Sequence, residues 1–568
     1  MVCYACWAQT KPAAGSTEYQ RGLAAMQGGD LAAARSSFEK VVQSNRRYAD
    51  AQNMLGQVLL LQGNVEGAVS CFRRLVKLRP TLAVAHAYLG DALERKGQLD
   101  DAVAEFRLAA QLAPKQPKAH SSLGRALSLQ HKTDEAMAEV KEAVRLAPQQ
   151  AEFHDELGSL WAQQSKFSDA EKEFREAVRL DTQYEPAWLH LGVAFSVAHE
   201  MKDAVQALDQ AVQLVPQDAN AWYYRGTVLE ALGNRDEAMH SYDQAAESSP
   251  DLPGLQTRLG LLAQRLGDSD RAVAAFTRET QQTPDDPEAH NNLGLAKLQS
   301  GDADGAMREF EAAIKLRPDD PSFQKNLGTA YLQKSDFDTA IKEFRASLKL
   351  DPNDASSHYD LALALKLKDD LPAAIAEWKE AIQLDPKLTD AYYSLGVTLW
   401  QSGDFPAASE QLRMAIRLQP DYAEAHYTLG TVLKQMNKLP EAADELRQAI
   451  RLQPDFAGAH TTLAGVLREL GDSAGATAEA KAGAEISKEK TNLQAATFAT
   501  NSGRRLLNAG DLDGAISQFR SAISAMPGYA PAHYQLGIAL SRKGQRDDAI
   551  KEFQKAAELD PHIAAPER

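Results

Sequence analysis

What this 568-residue sequence lacks already narrows its function. It has three cysteines, too few for the disulfide framework of a small secreted domain. Cys3 and Cys6 form a lone C-x-x-C with no second pair to complete a tetrahedral metal site. Cys71 falls in a helical pattern and reads as a small packing residue. No Gly-Lys dipeptide occurs, which removes the P-loop that cradles nucleotide phosphates, and neither H-E-x-x-H nor Cys/His zinc spacing is present. No cofactor is expected. No run approaches the roughly 18 apolar residues of a membrane-spanning helix, so no membrane insertion is expected. Basic charge is in deficit: 62 Lys and Arg face 78 Asp and Glu, a formal net charge of −16. Nucleic acid and anionic membrane surfaces both demand the opposite balance.

The opening is atypical of the rest. Residues 1–14 read as a disordered leader or the end of a signal peptide. Cys6-Trp7-Ala8 has the small-residue spacing of a cleavage site, but the charged and apolar parts before it are missing. That leaves cytoplasm and export equally open.

What is present in abundance is repetition. Prolines stand at 80, 114, 148, 216, 250, 284, 318, 352, 386, 420 and 454, every gap 34 or, across Thr182, twice 34. Fourteen contiguous units cover residues 15–490. An insertion, 491–495, breaks the register, two units follow at 496–529 and 530–563, and 564–568 is a tail. In the unit 287–320, Ala289, Leu293 and Ala296 make one apolar stripe, and Ala303, Ala306, Met307, Phe310, Ala313 and Ile314 make another. Gly301 ends the first helix, Asp304 can cap the second and Pro318 stops it. Such a hairpin leaves its apolar side bare, so a neighbour must cover it. Column 8 is Gly in fourteen of sixteen units, with Ala362 and Ala464 as exceptions, and column 20 is Ala in all sixteen. Column 24 is bulky almost throughout, from Phe38 to Phe553. Small residues at 8 and 20 let helix axes approach, and the bulky one fills the wedge between one hairpin and the next.

This register, with Leu-Gly at columns 7 and 8, Ala at 20, an aromatic at 24 and Pro at 32, resembles the tetratricopeptide repeat (TPR) family. Residues 15–563 carry it, in about sixteen copies. The resemblance implies an all-α fold, an α-solenoid whose antiparallel helix pairs wind into a right-handed superhelix. Unit 457–490 departs most: Ala480 and Gly483 replace packing residues and Lys488 replaces the proline. One long helix, or a hinge, is expected across 474–508, separating a fourteen-repeat solenoid from a two-repeat piece. After Pro561 no polar helix covers the last apolar face, which invites self-association through the C-terminal end.

Eight of thirteen histidines fall at column 4. Equivalent atoms in adjacent hairpins lie on the order of 10 Å apart, too far to share a zinc ion with bonds of about 2 Å. Histidine is therefore read as a stand-in for the family's aromatic packing residue, as are Trp188, Trp222 and Tyr392.

In the family, columns 2, 5, 9, 12 and 13 of the first helix line a concave groove. Acidic and basic residues balance in those columns, so the excess negative charge belongs outside. Tyr359, Tyr393 and Tyr427 occupy column 5 of three successive units, and Lys366, Trp400 and Lys434 occupy column 12 of the same units. Such rings suit an extended peptide, although shared Pro372, Pro406 and Pro440 allow simple duplication to explain the likeness. The Lys/Asn pattern with which some relatives clamp a chaperone's terminal carboxylate is missing. The expected function is a non-catalytic protein-interaction scaffold holding extended or helical segments of partner proteins. Its rivals are an array like the regulatory half of O-linked N-acetylglucosamine transferases, whose repeated Asn is matched only by Asn292, Asn326 and Asn501, and an exported cell-envelope assembly or tethering protein.

Overall fold

A computed structural model describes residues 17–563. The leader, with Cys3 and Cys6, and the tail lie outside these described residues. Among them the chain forms 31 helices and no strands, from Thr17–Gln27 to Arg546–Leu559. It divides into two compact units, Met1–Pro284 and Asp285–Arg568. Each is a row of antiparallel hairpins, in which helix A is followed by helix B and packs on the hairpin before it.

The columns explain the hairpin. The Ala at column 20 is at most 2% exposed in every repeat, so two helices meet there with nothing larger between them. Column 8 is tighter still. A Cβ built on Gly56 would stand 2.6 Å from the Phe72 ring, and one on Gly294 would stand 2.5 Å from Phe310. The column-24 ring thus lies over the glycine of its own hairpin. This corrects the expectation that it fills only the wedge between hairpins, although Phe72 does also stack on Tyr88 of the next repeat at 5.5 Å.

Column 15 turns the chain from helix A to helix B with positive φ. Glycine takes that place in most repeats, but His131, Ser165, His199, Ser335, Asp369 and Asn437 are held there too. One residue later comes the N-cap of helix B: Asp302, not Asp304, accepts from the Gly305 amide at 2.8 Å. Asp304 lies inside the helix, where its charge still favours the N-terminal end.

Sixteen repeats would give 32 helices, and one junction is fused. Helix Ser473–Asn508 serves as helix B of repeat 457–490, runs through 491–495 and becomes helix A of repeat 496–529. With neither Gly nor Pro between 484 and 502, nothing stops it. The fusion uncovers column 3. Phe153 and Phe323, in that column, are 5% and 0% exposed, whereas Phe498 is 77% exposed.

Candidate functional site

The residues singled out by their register all lie in the second unit, on helices Ala355–Leu367, Thr389–Gln401 and Ala423–Gln435. All six are half-buried. The three tyrosines and Trp400 pack partly on the core cluster beneath them. Tyr393 leans on Tyr422 with ring centroids 4.9 Å apart, and Tyr427 on Phe456 at 4.7 Å. Tyr359 places its hydroxyl 3.4 Å from Ser394 Oγ. Trp400, in a column that the family assigns to the groove, is therefore a packing residue as well. The lysines are also engaged. Lys366 Nζ stands 5.9 Å from the Trp378 ring centroid, and burial holds its pKa below the usual lysine range. Lys434 Nζ lies 3.5 Å from Glu469. Beside Tyr359, burial pushes the Asp360 carboxyl up to about 6.

These contacts belong to a ladder that joins helix A of one repeat to helix A of the next. Column 5 meets column 6 of the following repeat in Ser121–Glu156 at 2.9 Å, Asp155–His190 at 2.7 Å and Asn291–Asn326 at 2.7 Å. Column 12 meets column 13 in Ser128–Gln163 at 3.1 Å and Glu230–Arg265 at 2.6 Å. The face that bears the candidate site is thus already cross-tied.

The column-4 histidines do more than pack. His86 Nδ1 is 2.6 Å from Glu105 and its Nε2 is 2.9 Å from the carbonyl of Pro80. The same pair of contacts recurs at His120, His154, His358, His426, His460 and His533. His290 makes the glutamate contact, to Glu309, at 2.8 Å. Each clamp ties helix A to helix B and to the turn that closes the preceding repeat. Trp188, Trp222, Gln52 and Gln256 donate to the same carbonyl position without a carboxylate. The sequence carried the signal: all eight column-4 histidines have Glu nineteen residues later, at column 23.

Gly471–Gly475 fits the G-x-S-x-G spacing of a hydrolase nucleophile. In the structure it is the ordinary turn of the repeat: Gly471 takes φ +88°, and Asp472 caps the helix through the Gly475 amide. No strand leads into it among the described residues, as a nucleophile elbow requires. No group of three or more His, Cys, Asp or Glu among the described residues is placed to hold a metal. Nor is any described helix long and apolar enough to cross a membrane.

The helical register has direct counterparts. Tetratricopeptide repeat profiles match residues 19–83, 68–117, 121–185, 189–253 and 257–321. Further ones match 328–369, 364–403 and 400–437, then 423–456 and 506–565. The chain belongs to the tetratricopeptide repeat family. No curated protein matches it. Among solved structures, the TPR chain is similar to the APC/C hetero-tetramer Cut9-Hcn1 (15% identity, 80% of this chain and 97% of that one, TM-score 0.36). It is also similar to pilF of Pseudomonas aeruginosa (24% identity, 37% and 95%, TM-score 0.34) and to Naa15/Naa10 bound to HypK-THB (14% identity, 96% and 94%, TM-score 0.26).

Proposed function

We propose that this TPR protein is a non-catalytic interaction scaffold. In this reading it holds an extended or helical segment of a partner protein against the helix-A face of repeats 355–388, 389–422 and 423–456. The supporting observation is the register of Tyr359, Tyr393 and Tyr427 beside Trp400, four rings half-buried along one cross-tied face. Rings that are already held lose little freedom on contact and still offer apolar area and hydroxyl groups. Lys366 and Lys434 at column 12 add donors at the edge of that strip. The buried columns serve hairpin packing, which leaves recognition to the half-buried and exposed ones. We take residues 15–490 and 496–563 as two arrays joined by the continuous helix.

A second copy of the chain is the alternative partner, favoured by one observation. Ile550, at column 21, is 48% exposed, whereas Val69, Val103 and Ile341 in the same column are 1%, 2% and 6% exposed.

The test is capture of the native partner by Tyr393→Ala/Trp400→Ala, with Trp400→Leu alongside to keep apolar volume. Helical content is measured in parallel, because both rings touch the core. Capture is expected to fall at least about tenfold, as for the loss of a hot-spot ring. Undiminished capture by the folded double variant would remove this strip as the site.

A further inference from the structure

We infer that the helix-A face of the first unit carries a socket for one basic side chain, lysine or arginine, of an extended peptide. The inference rests on the groove reading above but concerns a different place, between the helices Pro117–Leu129 and Ala151–Gln163. A cavity of about 250 Å³ opens there, lined by columns 5, 9, 12 and 13, which the family assigns to its groove, together with columns 6, 8, 10 and 24. Its origin is legible in one residue. Column 24 of this repeat is Val140, where most repeats place an aromatic ring or leucine; it closes on Gly124, 2.5 Å from where a Cβ would stand, but reaches less far beyond it than a ring.

The lining has two characters. Leu129, Val140 and Leu160 make an apolar wall, while Asp155 and Glu156 bring carboxylates. Most of the polar groups are already matched. Ser128 bonds to Gln163, and Asp155, only 5% exposed, receives His190. Arg125, the one cation in the lining, is bound to Glu94 and lies 3.6 Å from Asp91. Glu156 accepts from Ser121 through Oε1, but its Oε2 is fully buried and has no donor.

What is missing is therefore a donor to the Glu156 carboxylate, which must turn its closed-off oxygen toward the cavity to meet one. A long aliphatic stem with a cationic head fits, its methylenes on the leucines and its head at the carboxylates. An acidic group would be repelled by Asp155 and Glu156. A small polar group would leave the apolar wall wet. Burial also pushes the Glu156 carboxyl above its ordinary value, against the opposing pull of Ser121, Lys118 and Arg125, as expected of a carboxylate awaiting a cation.

The experiment uses the full chain and two probes, acetyl-Gly-Gly-Arg-Gly-Gly-amide and its citrulline counterpart, read by saturation-transfer NMR. Citrulline keeps the shape and removes the charge. The arginine probe is expected to bind and the citrulline probe to bind at least about tenfold more weakly, the scale of a lost charge-assisted hydrogen bond. Glu156→Gln, nearly isosteric and still able to meet Ser121, should reduce arginine binding to the citrulline level. Val140→Phe restores the ring used by neighbouring repeats and should abolish binding while leaving the fold intact. Glu489→Gln, on an exposed stretch of the long helix, should change nothing and so separates the socket from the general attraction of an acidic protein. Three results would overturn the socket: no binding of the arginine probe, equal binding of both probes, or unchanged binding by Glu156→Gln and Val140→Phe. None of these would touch the tyrosine strip, whose own test is partner capture.

Discussion

A single methyl group decides the spacing of each hairpin. The Cβ of an alanine at 294 would meet the Phe310 ring at 2.5 Å, so Gly294→Ala is expected to destabilise by about 1–3 kcal/mol through overpacking. That outweighs the gain in helix propensity, about 1 kcal/mol. In the background of Phe310→Ala the same change should cost nothing, because repeat 457–490 already combines Ala464 at column 8 with Ala480 at column 24. A double-mutant cycle in urea checks the coupling; additive costs would mean that the glycine has another role. Residues of this kind were legible in the sequence, since their identity follows from close approach alone. Asp302 was misread because two acids two positions apart fit the cap equally well on paper, and only the turn geometry separates them. The packing role of Trp400 was not legible, because a column assigned to the groove can still lean on the core beneath it.

Between elements, the clamps carry a pH dependence. Glu173 and Glu445 hold the pKa values of His154 and His426 above the ordinary imidazole value, against the opposing effect of burial. Both ring nitrogens face oxygens that only accept, so the doubly protonated ring fits the site best. A raised folded value means that the stabilisation is complete below the unfolded value, about 6.5, and is lost as pH rises through the folded one. The urea midpoint should therefore fall as pH climbs from about 6.5 to 8.5, and the fall should shrink in Glu173→Gln/Glu445→Gln. Asp91 and Asp360, pushed up to about 6 by burial, finish most of their titration earlier. A midpoint flat over that range would contradict the charged clamp. The fused helix makes a different prediction. Phe323→Ala, fully buried, should cost about 3–5 kcal/mol, whereas Phe498→Ala in the same column should stay within about 0.5 kcal/mol. Thermal melts of the two variants compare them directly. A helix across the insertion was legible from its missing stop signals. The exposure of Phe498 was not, because burial depends on where the preceding helix leads.

At the scale of the whole chain, repetition gave the fold away: a period of 34 held over nearly every residue leaves little freedom for another architecture. Recognition is less legible, because groove columns and packing columns draw on the same rings and the polar ties between repeats appear only when neighbouring hairpins are in place. The aromatic strip lies in the second unit and the unmatched Glu156 in the first, while the helix-A ties recur in both. Contact with the partner is proposed to fall on helix-A columns, with the outer columns of helix B left to solvent. Photo-crosslinking tests this most directly, with benzoylphenylalanine at position 400 on the strip or at the exposed position 379 on helix B. Mass spectrometry of the products should find partner peptides from one continuous segment attached at 400 and essentially none at 379. Crosslinks concentrated at 379, with position 400 silent, would contradict it.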